Sequence, residues 1–145
     1  MKTVGELLQA KGHDIWSITP DATVYEALEL MAQKDVGALM VMDAGKLVGI
    51  LSERDYARKV ILKGRFSKET PVREIMTEKV TYVGSDDTIE ECMALMGEMR
   101  LRHLPVFEGD RLIGVISIGD VGKAIIAEQK LELEGLIGRP PHVLS

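Results

Sequence analysis

The sequence predicts an α+β fold in which a β-α-β-β-α unit occurs twice, the two copies related by a pseudo-twofold axis and packed as one module. Three observations predict it. Residues 19–56 lie over residues 84–121 at a constant offset of 65 without a gap, each copy carries a helix-spaced apolar pattern at the same place, and each helix is followed by two short apolar runs joined by turn residues. The aligned identities include Asp21/Asp86, Thr23/Thr88, Glu26/Glu91, Leu39/Leu104, Gly49/Gly114, Ser52/Ser117 and Asp55/Asp120. Many of the remaining apolar pairs exchange like for like, as Val24/Ile89 and Ile50/Val115 do, so pattern repeats as well as letters.

The elements follow in order. Ile15–Ile18 and Val80–Val83 read as short extended segments ahead of each first helix. Val24, Ala27, Leu28 and Met31, and their counterparts Ile89, Cys92, Met93 and Met96, form one helix face. Thr23-Val-Tyr-Glu26 and Thr88-Ile-Glu-Glu91 predict a capping box at each helix start, hydroxyl and carboxylate each answering an orphan N–H. Residues 38–42 with 47–52, and 103–107 with 111–117, predict hairpins across Asp43-Ala-Gly-Lys46 and Glu108-Gly-Asp-Arg111. Second helices are predicted over about 54–63 and 119–134. The stretch 63–71 carries the Gly, Ser and Pro of a linker, and Val4-Gly-Glu-Leu-Leu8 echoes Val72-Arg-Glu-Ile-Met76.

One unit is too small to bury its apolar face alone, so the tandem pair is the folding unit, packed sheet against sheet. The expected division is residues 1–64 for the first repeat with its N-terminal segment, 65–137 for the second repeat with a long C-terminal helix, and 138–145 for a flexible, proline-containing tail.

Composition removes several functions. Eighteen Lys and Arg against 23 Asp and Glu leave a net charge of −5, which sets up no general attraction for nucleic acid or an anionic membrane. The cationic run Arg58, Lys59, Lys63, Arg65 and Lys68 reads as a solvated face. The longest apolar runs are far shorter than a bilayer span. A start without a signal-like apolar core and the lone Cys92, which excludes an internal disulfide, lead us to expect a cytoplasmic protein. Cys92 takes a helix-core position, the three His residues do not cluster with carboxylates, and neither a dinucleotide-binding glycine motif nor a P-loop is present. No enzyme, catalytic residue or metal site is expected.

The chemistry concentrates at two junctions, Gly49-Ile-Leu-Ser-Glu-Arg-Asp55 and Gly114-Val-Ile-Ser-Ile-Gly-Asp120, where a strand leads directly into a helix. Such a place offers unpaired N–H groups, a Ser52 or Ser117 hydroxyl, and an Asp55 or Asp120 carboxylate able to accept from both hydroxyls of a ribose. The same Ser-x-x-Asp spacing is also that of a helix cap. From the sequence mechanics both readings stand.

The gapless repeat, Leu104-Pro-Val106 after the basic pair Arg102-His103, and the two Gly…Ser-x-x-Asp junctions together resemble tandem cystathionine-β-synthase (CBS) domains, a pair called a Bateman module. The phrase Gly49-Ile-Leu-Ser-Glu-Arg-Asp-Tyr-Ala-Arg-Lys59 is similar to that of small stand-alone bacterial and mitochondrial members. The resemblance spans about Val4 to Lys130 and implies a regulatory sensor of AMP, ATP or NAD(H) in which the Asp holds the ribose diol, the Ser contacts ribose or phosphate, and main chain ahead of the first helix frames the adenine. It implies a first site from Trp16, Ser17, Ile18, Gly37, Ala38, Ser52, Arg54 and Asp55. The second implied site takes Tyr82, Val83, Arg102, His103, Leu104, Pro105, Ser117 and Asp120.

The repeats differ where Gly37-Ala38 faces Arg102-His103, so the two clefts treat a phosphate differently. Gly37 leaves room for a larger base-side group or a dinucleotide's second half, and Arg54 supplies charge where its counterpart Gly119 has none. The sole tryptophan, Trp16, offers a face to stack on an adenine and equally suits an aromatic lid over the core; Tyr82 lies near the comparable place. A homodimer sealed by Ile125, Ile126, Leu131, Leu133, Leu136 and Ile137, with an effector protein reading the signal, completes the expectation. The alternatives are a structural dimerisation module with vestigial clefts and an unrecognised enzyme.

Overall fold

The computed structural model describes residues 2–129 and 142–144. Helix α1 (Val4–Lys11) precedes the first repeat, which runs β1 (Ser17–Ile18), α2 (Val24–Lys34), β2 (Ala38–Asp43), β3 (Lys46–Ser52) and α3 (Glu53–Tyr56). After a 3₁₀ turn at Val72–Glu74 the second repeat runs β4 (Val83–Gly84), α4 (Ile89–Met99), β5 (His103–Glu108), β6 (Arg111–Ser117) and α5 (Ile118–Glu128). Each repeat makes a three-stranded sheet, β1-β2-β3 and β4-β5-β6, with one parallel and one antiparallel pairing. The registers match: Val41 faces Gly49 as Val106 faces Gly114, and both ladders shift at the next residue. No helix among the described residues is long and apolar enough to cross a membrane.

Turn chemistry closes each hairpin differently. Ala44 and Gly45 both take positive φ (50° and 79°), the two-residue turn whose twist suits antiparallel strands, whereas in the second hairpin Gly109 alone does (63°). Strand β4 begins later than β1 relative to its neighbour because Pro105 stands where Met40 does. The Met40 amide donates to Trp16 O at 3.1 Å, and a proline has no such proton to give.

The hydrophobic cores cross the predicted boundary between repeats. Val4, Leu7 and Leu8 of α1 pack with Ile89, Cys92, Met96, Leu104 and Ile116 of the second repeat. Val72 and Ile75, from the segment that precedes the second repeat, complete the core of Val24, Leu39, Val41 and Leu51. The echo between residues 4–8 and 72–76 is therefore structural: each segment plugs the sheet of the opposite half. A Cβ built on Gly114 would meet Leu8 Cδ2 at 2.7 Å, and one on Gly49 would meet Met76 Sδ at 2.8 Å. Both glycines are required by this close approach.

Two expectations need correction. Thr23 and Thr88 cap α2 and α4, accepting from the Glu26 and Glu91 amides at 3.1 Å, but each glutamate takes the threonine hydroxyl instead of an orphan amide. The reciprocal boxes are at Ser52/Asp55 and Ser117/Asp120. The predicted helix over 54–63 is one α turn followed by a π-helical stretch, Ala57–Ile61, in which the wider loop lets Leu62 N donate to Ala57 O. Its counterpart α5 is regular to Glu128; residues 130–137, including four of the apolar residues expected to seal a dimer, lie outside the described residues, as does most of the predicted tail.

Candidate functional site

At the end of β3 the chain turns sharply into α3, and the Ser52 amide donates to Asp55 Oδ2 (3.0 Å) while the Asp55 amide donates to Ser52 Oγ (3.2 Å). The same exchange joins Ser117 N to Asp120 Oδ2 (2.8 Å) and Asp120 N to Ser117 Oγ (3.1 Å). Both carboxylates therefore cap their own helices. Capping consumes only part of what they offer, since an ionised carboxylate has about four acceptor positions. Asp55 Oδ1 faces Lys59 Nζ at 3.1 Å and the Thr77 hydroxyl at 3.4 Å. Among the described residues Asp120 Oδ1 accepts no hydrogen bond.

Beside each carboxylate lies a hollow. The one at Asp55 has a volume of about 850 Å³ and the one at Asp120 about 410 Å³, both within the range of small-molecule sites. Each is built from both repeats. Ser52, Arg54 and Asp55 face Val80, Thr81, Arg100 and Arg102 across the first hollow, while Ser117 and Asp120 face Trp16, Asp35, Gly37 and Ala38 across the second. Gly37 and His103 border both and form the partition.

This arrangement regroups the predicted residues. The structure brings Trp16 and Ala38 to Asp120 and not to Asp55, sets Gly37 between the two, and brings Arg102 to Asp55 and not to Asp120. Six expected residues border neither hollow. Ser17, Ile18 and Val83 are strand residues paired to β2 or β5, Leu104 and Pro105 are buried in β5, and Tyr82 is 60% exposed with its ring edge-on to Phe107 at 5.0 Å. Thr81, one residue earlier, takes the hollow side, because neighbouring residues of an extended chain face opposite ways. Gly37 borders both hollows, and a Cβ there would lie 3.2 Å from Glu53 Oε1 and 3.5 Å from the His103 ring.

The sequence reading missed Lys11, Asp14, Asp35, Lys79 and Arg100 as site residues. A signal existed for four of them. Asp14/Lys79 and Asp35/Arg100 stand at the repeat offset of 65, within two residues of positions already singled out, and each pair reverses charge. Asp35 and Arg100 also share left-handed backbone, φ 53° and 55°, at the ends of α2 and α4, a conformation non-glycine residues seldom hold.

Local electrostatics distinguish the groups. Burial works to raise the Asp120 carboxyl, but the hydrogen bonds from Lys11 and from the Ser117 backbone outweigh it and hold the group below the usual carboxylate range. Burial, aided by Lys11, lowers His103 below its ordinary value, so the partition is neutral at neutral pH. Cys92 is pushed up to about 11 by burial, then by Asp87 and Glu91, leaving a protonated core thiol. Among the described residues no three His, Cys, Asp or Glu side chains gather as a metal would require.

Comparison with known proteins agrees with this architecture. The family model for the CBS domain matches residues 4–62 and again 72–127. The mitochondrial CBS domain-containing protein CBSX3 of Arabidopsis thaliana is 42% identical over 144 residues, covering 92% of this chain and 69% of its own. A solved protein with CBS domains from Burkholderia ambifaria is 53% identical, with a TM-score of 0.86 over 88% of this chain and 96% of its own. A CBS domain pair solved in complex with 5′-methylthioadenosine and S-adenosyl-L-methionine shares the fold, with a TM-score of 0.77 at 21% identity over 88% of this chain and 98% of its own.

Proposed function

Since this chain belongs to the CBS-domain family, with two repeats that together span most of its length, we propose that it is a regulatory module that binds adenine nucleotides, AMP, ATP or NAD(H), between its repeats. Occupancy changes the packing of the pair, and a homodimer presents that change to an effector protein. The observation that carries the reading is that each Ser-x-x-Asp carboxylate caps its helix and also borders a hollow of ligand size. A ribose diol needs two acceptor positions close together: Asp120, its Oδ2 anchored and its Oδ1 accepting no hydrogen bond among the described residues, offers them in a fixed orientation, and at Asp55 the diol would replace the Thr77 and Lys59 contacts to Oδ1. Support comes from the neighbouring CBS pair whose bound molecules both contain adenosine. A ligand acts here by differential affinity for two arrangements of the repeats.

The test is calorimetric titration of AMP, ATP and NADH into the protein and its Asp55→Asn and Asp120→Asn variants. Asparagine keeps an oxygen for the cap and loses the charge and the second acceptor. Binding by the parent protein that weakens about tenfold or more in at least one variant, the loss of a charged hydrogen bond, supports the reading. Absence of binding by all three nucleotides, or equal binding by all three proteins, rejects it. The capping boxes alone favour a second reading, a structural dimerisation module; it predicts no shift of the melting temperature by nucleotide.

A further inference from the structure

The two hollows carry opposite charge. The Asp55 hollow is bordered by Arg54, Arg58, Lys79, Arg100 and Arg102 against only Glu53 and Asp55. The Asp120 hollow is bordered by Asp14, Asp35 and Asp120 against Lys11 alone. Lys11 is already committed, its Nζ lying 2.5 Å from Asp120 Oδ2 and 2.6 Å from Val115 O. Among the described residues neither Asp14 nor Asp35 has an ion-pair partner, and neither does any of the five cations of the other hollow. His103, the shared wall, adds no charge at neutral pH.

We infer, resting on the reading above, that the hollows divide adenosine compounds by charge: the Asp55 hollow takes those bearing phosphates, and the Asp120 hollow takes adenosine compounds without phosphate. Five unpaired cations around one cavity attract a polyphosphate, whereas two unpaired aspartates at the rim of the other repel it. The ribose hydroxyls and the base carry no charge and are unaffected by that repulsion. The division is written into the repeat as charge reversals, Asp14 against Lys79 and Asp35 against Arg100. The module thus compares two pools, and one chain holds both ligands at once.

The molecule supplies its own reporter, because Trp16, its only tryptophan, borders the Asp120 hollow and not the other. Magnesium-free ATP and adenosine are titrated separately and together, with calorimetry reading total binding and Trp16 emission reading the Asp120 hollow. We expect ATP to bind without changing Trp16 emission and to weaken steeply as salt is added. Adenosine changes the emission, with or without saturating ATP and with little dependence on salt. The double variant Asp14→Lys/Asp35→Arg, which gives the Asp120 hollow the side chains of its counterpart, makes ATP change Trp16 emission with affinity raised on the order of tenfold. Arginine is tolerated at the left-handed position, as Arg100 shows. Independently, Lys79→Ala/Arg102→Ala weakens ATP about tenfold and leaves the adenosine response unchanged.

The division is overturned if ATP changes Trp16 emission of the parent protein as readily as adenosine does, if ATP displaces adenosine, or if the charge-swapped variant gains nothing. Should calorimetry detect neither compound, the division falls; should AMP and NADH also fail to bind, the nucleotide-binding reading falls with it. Binding of both compounds in the same hollow overturns the division alone.

Discussion

Lys11, the last residue of α1, places its Nζ 2.5 Å from Asp120 Oδ2, 109 residues along the chain. The pair ties the N-terminal helix to the capping box of α5 and is only part-exposed, 35% and 24% at the two side chains. Asp120 is held below the ordinary carboxylate range in the folded protein. Its contribution is therefore fully present above the unfolded value of about 3.9 and disappears as pH falls through the folded value. Lys11→Met keeps the apolar stem and removes the charge. We expect it to cost about 1 kcal/mol at pH 7, with the gap in melting temperature between parent and variant constant above about pH 5 and closing toward pH 3. Thermal melts across that range check it; a gap that persists unchanged in acid contradicts the ion-pair account.

The reciprocal caps predict non-additivity. Ser117→Ala removes the acceptor for the Asp120 amide, and Asp120→Ala removes the acceptor for the Ser117 amide. Ser117→Ala costs about 1 kcal/mol, and Asp120→Ala, which also breaks the ion pair with Lys11, costs about 2 kcal/mol. Because the Ser117 side chain anchors the turn that Asp120 also closes, the double variant costs less than the sum by at least about 0.5 kcal/mol. Chemical denaturation of the four proteins completes the cycle, and strict additivity would show the two hydrogen bonds to be independent.

The repeat offset made the fold legible almost element by element, since Gly49/Gly114, Ser52/Ser117 and the Thr caps are local signals read from neighbours in sequence. What the sequence did not disclose is the exchange between halves. Val4, Leu7 and Leu8 carry the apolar spacing of a helix with no mark of which sheet they cover, and that choice is set by the shape of the gap over Gly114. The same crossing regrouped the site: Trp16 is near Asp55 along the repeat but borders Asp120 in space. The pattern after Ser52 predicts a longer and more regular helix because it matches that of α5, while a π-helical stretch shifts the hydrogen bonds without changing the apolar letters. Asp14 and Asp35 are legible only through their charge reversal against Lys79 and Arg100, because an isolated acid otherwise has the look of solvated surface.

The left-handed residues at the helix ends predict a separation of stability from binding. Arg100 holds φ 55° with a full side chain, and Asp35, of a type that tolerates this conformation better, holds φ 53°. Arg100→Gly relieves that backbone and raises stability by up to about 1 kcal/mol, and Asp35→Gly raises it by less. The Arg100 variant also removes one cation from the Asp55 hollow, so ATP binding weakens severalfold while the melting temperature rises. A loss of stability in Arg100→Gly, measured by thermal melting without ligand, would mean that the arginine side chain holds the fold itself.

The contact between Leu8 and Gly114 gives the strongest stability prediction. Leu8 is fully buried, and all three atoms nearest to a Cβ at position 114, at 2.7, 3.0 and 3.4 Å, belong to its side chain. Gly114→Ala therefore drives a methyl into a packed core and costs about 1–3 kcal/mol. Leu8→Ala alone empties the same place and costs about 2–5 kcal/mol. Together the new methyl occupies part of the vacated volume, so the double variant is more stable than the sum of the two losses by about 1 kcal/mol or more. At Gly49 the corresponding Cβ meets Met76, whose flexible side chain can yield, but also the Thr77 carbonyl at 3.0 Å, which is bound to the Ile50 amide and cannot. Truncation of Met76 consequently rescues Gly49→Ala less than Leu8→Ala rescues Gly114→Ala. Denaturant titration of both cycles decides the matter, and equal rescue in the two halves would show that the backbone contact at Thr77 has little weight.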